Sequence, residues 1–345
     1  MAVVSQPLDE TNPLSAVPKI DYADLVSGAA LEQIRHAVKE YAFFYIINIP
    51  EFDASLELNL MKGYFAQSYA EKDQCASVKN NPDNCNVLRG YGYQNSGGTR
   101  IEEVFNIGQY ETADSKERSC KAEKIAREPN VWPDSTPSFD GARFKEIMKK
   151  GFDIRMRVSK MIVDALGRII DSEAFPRMFG ESEFTSFYLK KYTERNAEDN
   201  IGIYAEDSGY TMVAEDGRDL SIPSHVDTTV TLLTTYNNGG LQAMYKGEWH
   251  DVPSLLGSIM MMSGSLMHEL TEGQLPPLKH RVIDIKRDRF SLPFFLNPSF
   301  HSDISKTWTS GKETETGKSF KTFGPWQVTQ LHRDEPLLLC STSLF

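Results

Sequence analysis

Apolar positions change their period near the middle of the chain. Leu31, Ile34, Val38 and Ala42 recur at helical spacing, and Phe43-Phe44-Tyr45-Ile46-Ile47 then turns aromatic and β-branched, which predicts a helix feeding a buried strand. Leu56, Leu60, Tyr64 and Phe65 predict a second amphipathic helix over 54–72. A third is predicted over 139–171, where Phe144, Ile147, Phe152, Met156, Met161 and Val163 supply a core face. The intervening 89–108 stretch is glycine-rich and strand-like, and a charged segment follows it to about Asp134. Residues 1–18 read as an extended leader, because Pro7, Pro13 and Pro18 remove backbone donors.

Beyond Glu183 the apolar residues fall into short runs separated by glycine, proline and asparagine. Tyr188-Leu189, Ile201–Tyr204, Thr228–Tyr236, Leu241–Tyr245, Ile259–Met262, Val282–Ile285 and Leu292–Leu296 are the expected strands. Asp216-Gly217 and Asn238-Gly239-Gly240 are expected turns. Many short strands with regular turn signals predict a mainly β fold with flanking helices, of the jelly-roll kind. The helices then brace one β core, so the chain is expected to be a single catalytic domain over 1–345. Its parts are a helix-rich cover to about 180, a core over about 181–300, and a C-terminal loop or lid segment over 301–345.

Composition narrows the partners. Of the 345 residues, 37 are Lys or Arg against 48 Asp or Glu, and the net charge of −11 repels a phosphate backbone, which argues against nucleic acid. No segment approaches 18 uncharged apolar residues and the N-terminus lacks a basic start with an apolar stretch, so neither a membrane span nor a signal peptide is expected. Cys75, Cys85, Cys120 and Cys340 lie far apart without a CxxC pair, which suits a reducing, cytoplasmic setting.

The chemistry concentrates in the second half. His225-Val226-Asp227 places two ligand-competent side chains at i and i+2, on one side of an extended chain, and His280 opens a later β-rich run. Two imidazoles and one carboxylate on one face of an octahedral metal leave three positions open, as non-haem Fe(II) oxygen chemistry requires. An isolated HxD arises by chance on any polar strand edge, so the following residues decide. Arg289 and Ser291, two apart on a strand, present a charged fork and a neutral hydroxyl to one side, a combination suited to a carboxylate. The run Met260-Met261-Met262 alternates faces and reads as core filling rather than a copper site. His36, His250, His268, His301 and His332 read as structural or surface residues.

With these residues in view, HVDTTVTLLTT, GGLQAMYKGEWHDVP, GSLMHELTEGQLPPLKHRV and RFSLPFFLNP resemble the 2-oxoglutarate/Fe(II)-dependent dioxygenases, in the branch containing isopenicillin N synthase. The resemblance implies a distorted double-stranded β-helix (jelly roll) core. It implies Fe(II) held by His225, Asp227 and His280, with 2-oxoglutarate and O2 as co-substrates. Arg289 and Ser291 match its RxS pair for the distal carboxylate. Where many members carry Asn-Tyr-Tyr-Pro, this chain has Lys190-Lys191-Tyr192-Thr193, and Tyr192 is expected to serve as the pocket tyrosine. The implied reaction couples decarboxylation of 2-oxoglutarate to succinate with oxidation of an unactivated C–H bond, by hydroxylation, desaturation or ring closure, in natural-product metabolism. Arg89, Arg100 and one of the neighbouring Lys190 and Lys191, with Lys191 preferred, are the expected contacts to a small, carboxylate-bearing substrate. Three other readings stay open: an oxidase using Fe(II) and O2 without 2-oxoglutarate, a zinc hydrolase, and a metal-free metabolite-binding jelly roll.

Overall fold

The computed structural model describes residues 11–96, 99–194, 212–234, 236 and 239–331. Two sheets face each other. The larger is built from β1 (Lys19–Asp21), β2 (Phe43–Ile47), β3 (Gly90–Ser96), β4 (Thr99–Ile107), β5 (Ser186–Tyr192), β7 (Val230–Thr234), β10 (Ile259–Ser263) and β12 (Arg289–Leu296). The smaller holds β6 (Leu220–His225), β8 (Leu241–Tyr245), β9 (Glu248–Asp251) and β11 (His280–Ile283). Their strand orders are β1-β2-β10-β7-β12-β5-β4-β3 and β6-β11-β8-β9. Among the described strands, every pairing is antiparallel except that of β1 with its neighbour β2. Strands joined out of chain order between two facing sheets make the core a jelly roll.

Alternation along each strand sorts the core into two layers. Phe43, Tyr45, Leu233, Met260 and Met262 point from the large sheet toward Leu241, Ala243 and Val282 of the small one. Their immediate neighbours Phe44, Ile46, Leu232 and Met261 point the other way, into a helical layer. That layer consists chiefly of α2 (Leu31–Tyr41), α3 (Ala54–Phe65) and the long α6 (Gly141–Ile169), after the short α1 (Tyr22–Ser27). Phe152 of α6 meets Phe294 of β12 edge to face, with ring centroids 5.3 Å apart. Each such buried side chain contributes roughly 1.5–3 kcal/mol. Among the described residues, five shorter helices add to the cover: α4 (Tyr69–Asp73), α5 (Lys121–Ala126), α7 (Ala174–Arg177), α8 (Ser265–Leu270) and α9 (Phe323–Leu331).

Several expectations shift in detail. The helix expected over 54–72 breaks in two, because Ser68 caps α4 through the Glu71 amide while the Glu71 carboxylate accepts the Ser68 amide, a reciprocal box that starts a new helix. Within the expected leader, Pro13–Ala16 form a 3-10 turn that buries Leu14. Gly217 turns with φ +81, and the flanking Val213 and Asp219 pair, as expected of Asp216-Gly217. Gly239 and Gly240 likewise take positive φ, whereas Asn238 and the expected strand Ile201–Tyr204 lie outside the described residues. Beyond residue 300 a looped segment with its own short bridges leads into α9. Among the described residues no helix is long and apolar enough to cross a membrane.

Candidate active site

His225 is the last residue of β6 and His280 the first of β11, and the two are directly paired in the small sheet. This register brings the ring centroids to 4.2 Å. Asp227 follows in the loop leading to β7, which α8 clamps: the Ser265 amide donates to the Asp227 carbonyl at 2.8 Å and the Leu266 amide to that of Thr228 at 2.9 Å. Gly264 makes this approach feasible, since a Cβ there would stand 2.4 Å from the Thr228 carbonyl carbon and the Thr229 nitrogen. The held loop sets Asp227 Oδ1 3.7 Å from His225 Nε2 and 3.9 Å from His280 Nε2.

Both imidazoles are fixed through their second nitrogen. His225 Nδ1 meets the Pro223 carbonyl at 2.8 Å and His280 Nδ1 the Leu278 carbonyl at 3.0 Å. A carbonyl only accepts, so each Nδ1 carries the proton and each Nε2 offers a lone pair. Burial, reinforced by the neighbouring His280, pushes His225 down to about 4, and the Lys190 ammonium adds a smaller push in the same direction. His225 therefore presents a neutral nitrogen donor at neutral pH. Asp227 Oδ2 is buried without a hydrogen-bond partner. His225, Asp227 and His280 can each bring one ligand atom within 4.8 Å of the other two, the one such grouping among the described residues. Two imidazoles with Nε2 turned to one point and a carboxylate with an orphaned oxygen fit a divalent iron with open positions.

The opposite wall belongs to the large sheet. Across β12 and β5, Arg289 pairs with Tyr192 and Ser291 with Lys190, so these four side chains share the face turned toward the small sheet. Arg289 is buried, its Nε donates to the Gly239 carbonyl at 3.3 Å, and its guanidinium stands 5.6 Å from the Tyr192 ring. Among the described residues no carboxylate comes within ion-pair distance of it. Burial pushes Arg289 down from its ordinary value, with Tyr192 opposing. Burial raises the Tyr192 phenol, which stays a neutral donor.

The three expected substrate contacts are placed elsewhere, and each is already engaged. Arg100 donates to the Tyr91 hydroxyl at 2.9 Å, pairs with Asp73 at 2.8 Å and lies between the rings of Tyr69 and Tyr93. Arg89 is fully buried, donating to Asn106 Oδ1, Ser186 Oγ and backbone carbonyls. Ser186 is six residues along β5 from Tyr192, about 20 Å at strand rise. Lys191 points to the helical side, where it meets Glu103 at 3.5 Å and Asp288 at 3.4 Å. The correction follows from the pleat: Lys190, not Lys191, shares the face of Tyr192. Lys190 lies 3.1 Å from Glu102 Oε1, and Glu102, paired with Tyr192 in β4, was not anticipated as part of this wall.

Comparison with known proteins places this geometry. A family profile described as the 2OG-Fe(II) oxygenase superfamily matches residues 199–298, and one described as non-haem dioxygenase in morphine synthesis N-terminal matches 17–135. Isopenicillin N synthase of Streptomyces jumonjinensis is 28% identical over 305 residues, 85% of this chain and 87% of that protein. The 2-oxoglutarate-dependent dioxygenase frbJ of Dothideomycetidae sp. (strain 11243) is 28% identical over 284 residues, 79% of this chain and 70% of that protein. The dioxygenase for auxin oxidation 1 from Arabidopsis thaliana, solved as its 2-oxoglutarate complex, aligns with a TM-score of 0.57 at 20% identity, covering 82% of this chain and 93% of that one, a likeness of fold. The chain belongs to the 2-oxoglutarate/Fe(II) oxygenase superfamily. Within it the chain falls in the isopenicillin N synthase-like branch.

Proposed function

We propose that His225, Asp227 and His280 hold the iron and that Arg289, Ser291 and Tyr192 hold 2-oxoglutarate, for oxidation of an unactivated C–H bond in a small, carboxylate-bearing metabolite. The observation that carries this reading is the pairing of two features: Nε2 lone pairs fixed toward one carboxylate, and a buried Arg289 that meets no carboxylate among the described residues. A buried cation costs several kcal/mol unless an anion joins it, so the wall is built to receive one. The planar guanidinium takes the distal carboxylate through two parallel bonds, and the Ser291 hydroxyl and Tyr192 phenol add neutral donors. When bound, the iron supplies the oxidising chemistry from O2 and the decarboxylation of 2-oxoglutarate. The chain contributes orientation: Nδ1 of each histidine stays protonated on its carbonyl, and the clamped Asp227 loop keeps the third ligand in place. A role in natural-product metabolism agrees with relatives such as isopenicillin N synthase.

The same relatives favour one second reading, an oxidase that uses iron and O2 while Arg289 and Ser291 receive the substrate's own carboxylate. Oxygen uptake and succinate release by the Fe(II)-loaded protein, with 2-oxoglutarate and extracts of candidate metabolites, separate the two. Succinate formed in proportion to product supports the dioxygenase, whereas product formed at full rate without 2-oxoglutarate overturns it.

A further inference from the structure

Adjacent residues on β4 carry the same charge into opposite surroundings. Glu103 faces the helical layer, where Lys72 and Tyr91 close over it, and both members of the Lys72–Glu103 pair are almost wholly buried. Glu102 faces the cavity wall, and its partner Lys190 keeps 25% of its side chain exposed. Lys190 lies directly across from Ser291, with its ammonium 5.9 Å from the Tyr188 and Tyr192 ring centroids. The Glu102–Lys190 pair thus shares the sheet face of Arg289, Ser291 and Tyr192, and Lys190 stays partly exposed there.

Compensation distinguishes what each cation can recognise. Arg289 has no neighbouring carboxylate among the described residues and selects a net anion. Among the described residues Lys190 is balanced by Glu102, so the pair offers no net charge but a strong local dipole. A simple anion gains attraction from Lys190 and loses it to Glu102. A ligand carrying both charges satisfies both, with its carboxylate on Lys190 and its amine on Glu102, at the cost of parting a pair only 3.1 Å apart. We propose that Glu102 and Lys190 form the substrate-reading pair of this site and that it takes the free α-amino-acid class, in which a protonated amine and a carboxylate share one carbon. This assignment rests on the reading of the iron and 2-oxoglutarate site given above. It replaces Arg89, Arg100 and Lys191 with a cation that faces the chemistry.

The test is calorimetric titration of the intact protein loaded with Mn(II) and 2-oxoglutarate, using the twenty proteinogenic amino acids as probes. The tightest binder is then compared with its N-acetyl and carboxamide derivatives. At least one amino acid is expected to bind, and either derivative should lose about ten-fold or more, the scale of one hydrogen bond to a charged group. Lys190→Met should bind the acid and its carboxamide alike, and Glu102→Gln should bind the free and acetylated amines alike. Affinity for 2-oxoglutarate should hold within about two-fold in both variants, since Arg289 and Ser291 are untouched. The double exchange Glu102→Lys with Lys190→Glu keeps a pair in place should a single variant fail to fold, and the derivative series on wild type needs no variant. Absence of binding by every amino acid, or equal binding of the blocked derivatives, overturns the proposal while leaving the iron site standing. A loss of 2-oxoglutarate affinity in Lys190→Met equal to its loss of amino-acid affinity also overturns it, by moving Lys190 to the co-substrate. Failure of wild type to bind 2-oxoglutarate at all would instead strike the function proposed above.

Discussion

The two faces of the large sheet treat buried charge in opposite ways. On the helical face, Arg155 of α6 is fully buried and Glu57 of α3 accepts from it at 2.8 and 2.7 Å, with Thr234 of β7 accepting as well. Lys72 with Glu103, and Arg100 with Asp73, close in the same manner. On the cavity face Arg289 is also buried, yet the described residues bring it only a carbonyl and an aromatic ring. Helical-face charges tie elements together and are complete without a ligand. Among the described residues the charge on the cavity face has no such partner. Burial of a cation therefore says little about function until its counter-charge has been located.

The largest expected effect falls on the histidine end of the cavity. His225→Ala and Asp227→Ala should reduce succinate release to background and abolish tight Fe(II) binding, because each removes one of three converging donors. Thermal melts of the metal-free proteins should stay close to wild type. Asp227→Glu should fail as well, since one methylene shifts the carboxylate by over ~1 Å where productive geometry tolerates about half that. Full activity in any of the three would remove the metal assignment.

The comparison itself breaks or holds on a pair of variants. Glu57→Gln strands Arg155 without a counter-charge and should destabilise the fold by about 3–5 kcal/mol, with turnover per folded molecule retained. Arg289→Leu should do the reverse, nearly eliminating use of 2-oxoglutarate while leaving stability unchanged or raised. Urea melts and succinate assays on both proteins check the contrast. If Arg289→Leu unfolds the protein as severely as Glu57→Gln, the cavity face carries a structural cation like any other.

Local pattern made much of this legible from sequence, and non-local register did not. The spacings of His225 to Asp227 and Arg289 to Ser291 are two residues each, so strand geometry alone suggests a shared direction. Applied to Tyr192, the same alternation picks Lys190 over Lys191. Glu102 escapes notice because its place depends on how β4 pairs with β5, some 90 residues later, and charge pattern along one strand carries no trace of that pairing. β6 was missed for a different reason: Leu220-Ser-Ile-Pro-Ser-His is poor in β-formers and interrupted by Pro223. The proline is tolerated because β6 lies at an edge of the small sheet. Arg89 and Arg100 looked like ligand contacts only because nothing in the sequence names Ser186 or Asp73 as their partners.

A smaller effect separates the faces by pH. Burial holds His225 at about 4 against 6.5 for an exposed imidazole. Between those values the unfolded chain takes up a proton that the folded, metal-free protein refuses, so stability is fully present above 6.5 and is lost as pH falls toward 4. His225→Ala lacks this contribution. Its unfolding free energy from urea melts should therefore fall less than that of wild type over the same interval, by an amount on the order of 1–2 kcal/mol. Parallel profiles for the two proteins would mean that His225 is not held neutral by its surroundings.

The smallest expected effect tests how the cavity face divides its work. Ser291 is buried beside Lys190 and two residues from Arg289 on the same face, so its hydroxyl can add one neutral hydrogen bond to a carboxylate that the guanidinium already holds by charge. Ser291→Ala removes that bond without stranding a charge, and should weaken 2-oxoglutarate by about 0.5–1.5 kcal/mol. Arg289→Lys keeps the charge but gives up the planar fork, and belongs between Ser291→Ala and Arg289→Leu. Dissociation constants for 2-oxoglutarate, measured anaerobically with Fe(II), should then rise in the order wild type, Ser291→Ala, Arg289→Lys, Arg289→Leu. An Arg289→Lys protein that binds as tightly as wild type would show that charge alone suffices. If Ser291→Ala loses as much as Arg289→Leu, the hydroxyl rather than the buried guanidinium organises the pocket, and the contrast between the two faces of the sheet no longer explains how the ligand is held.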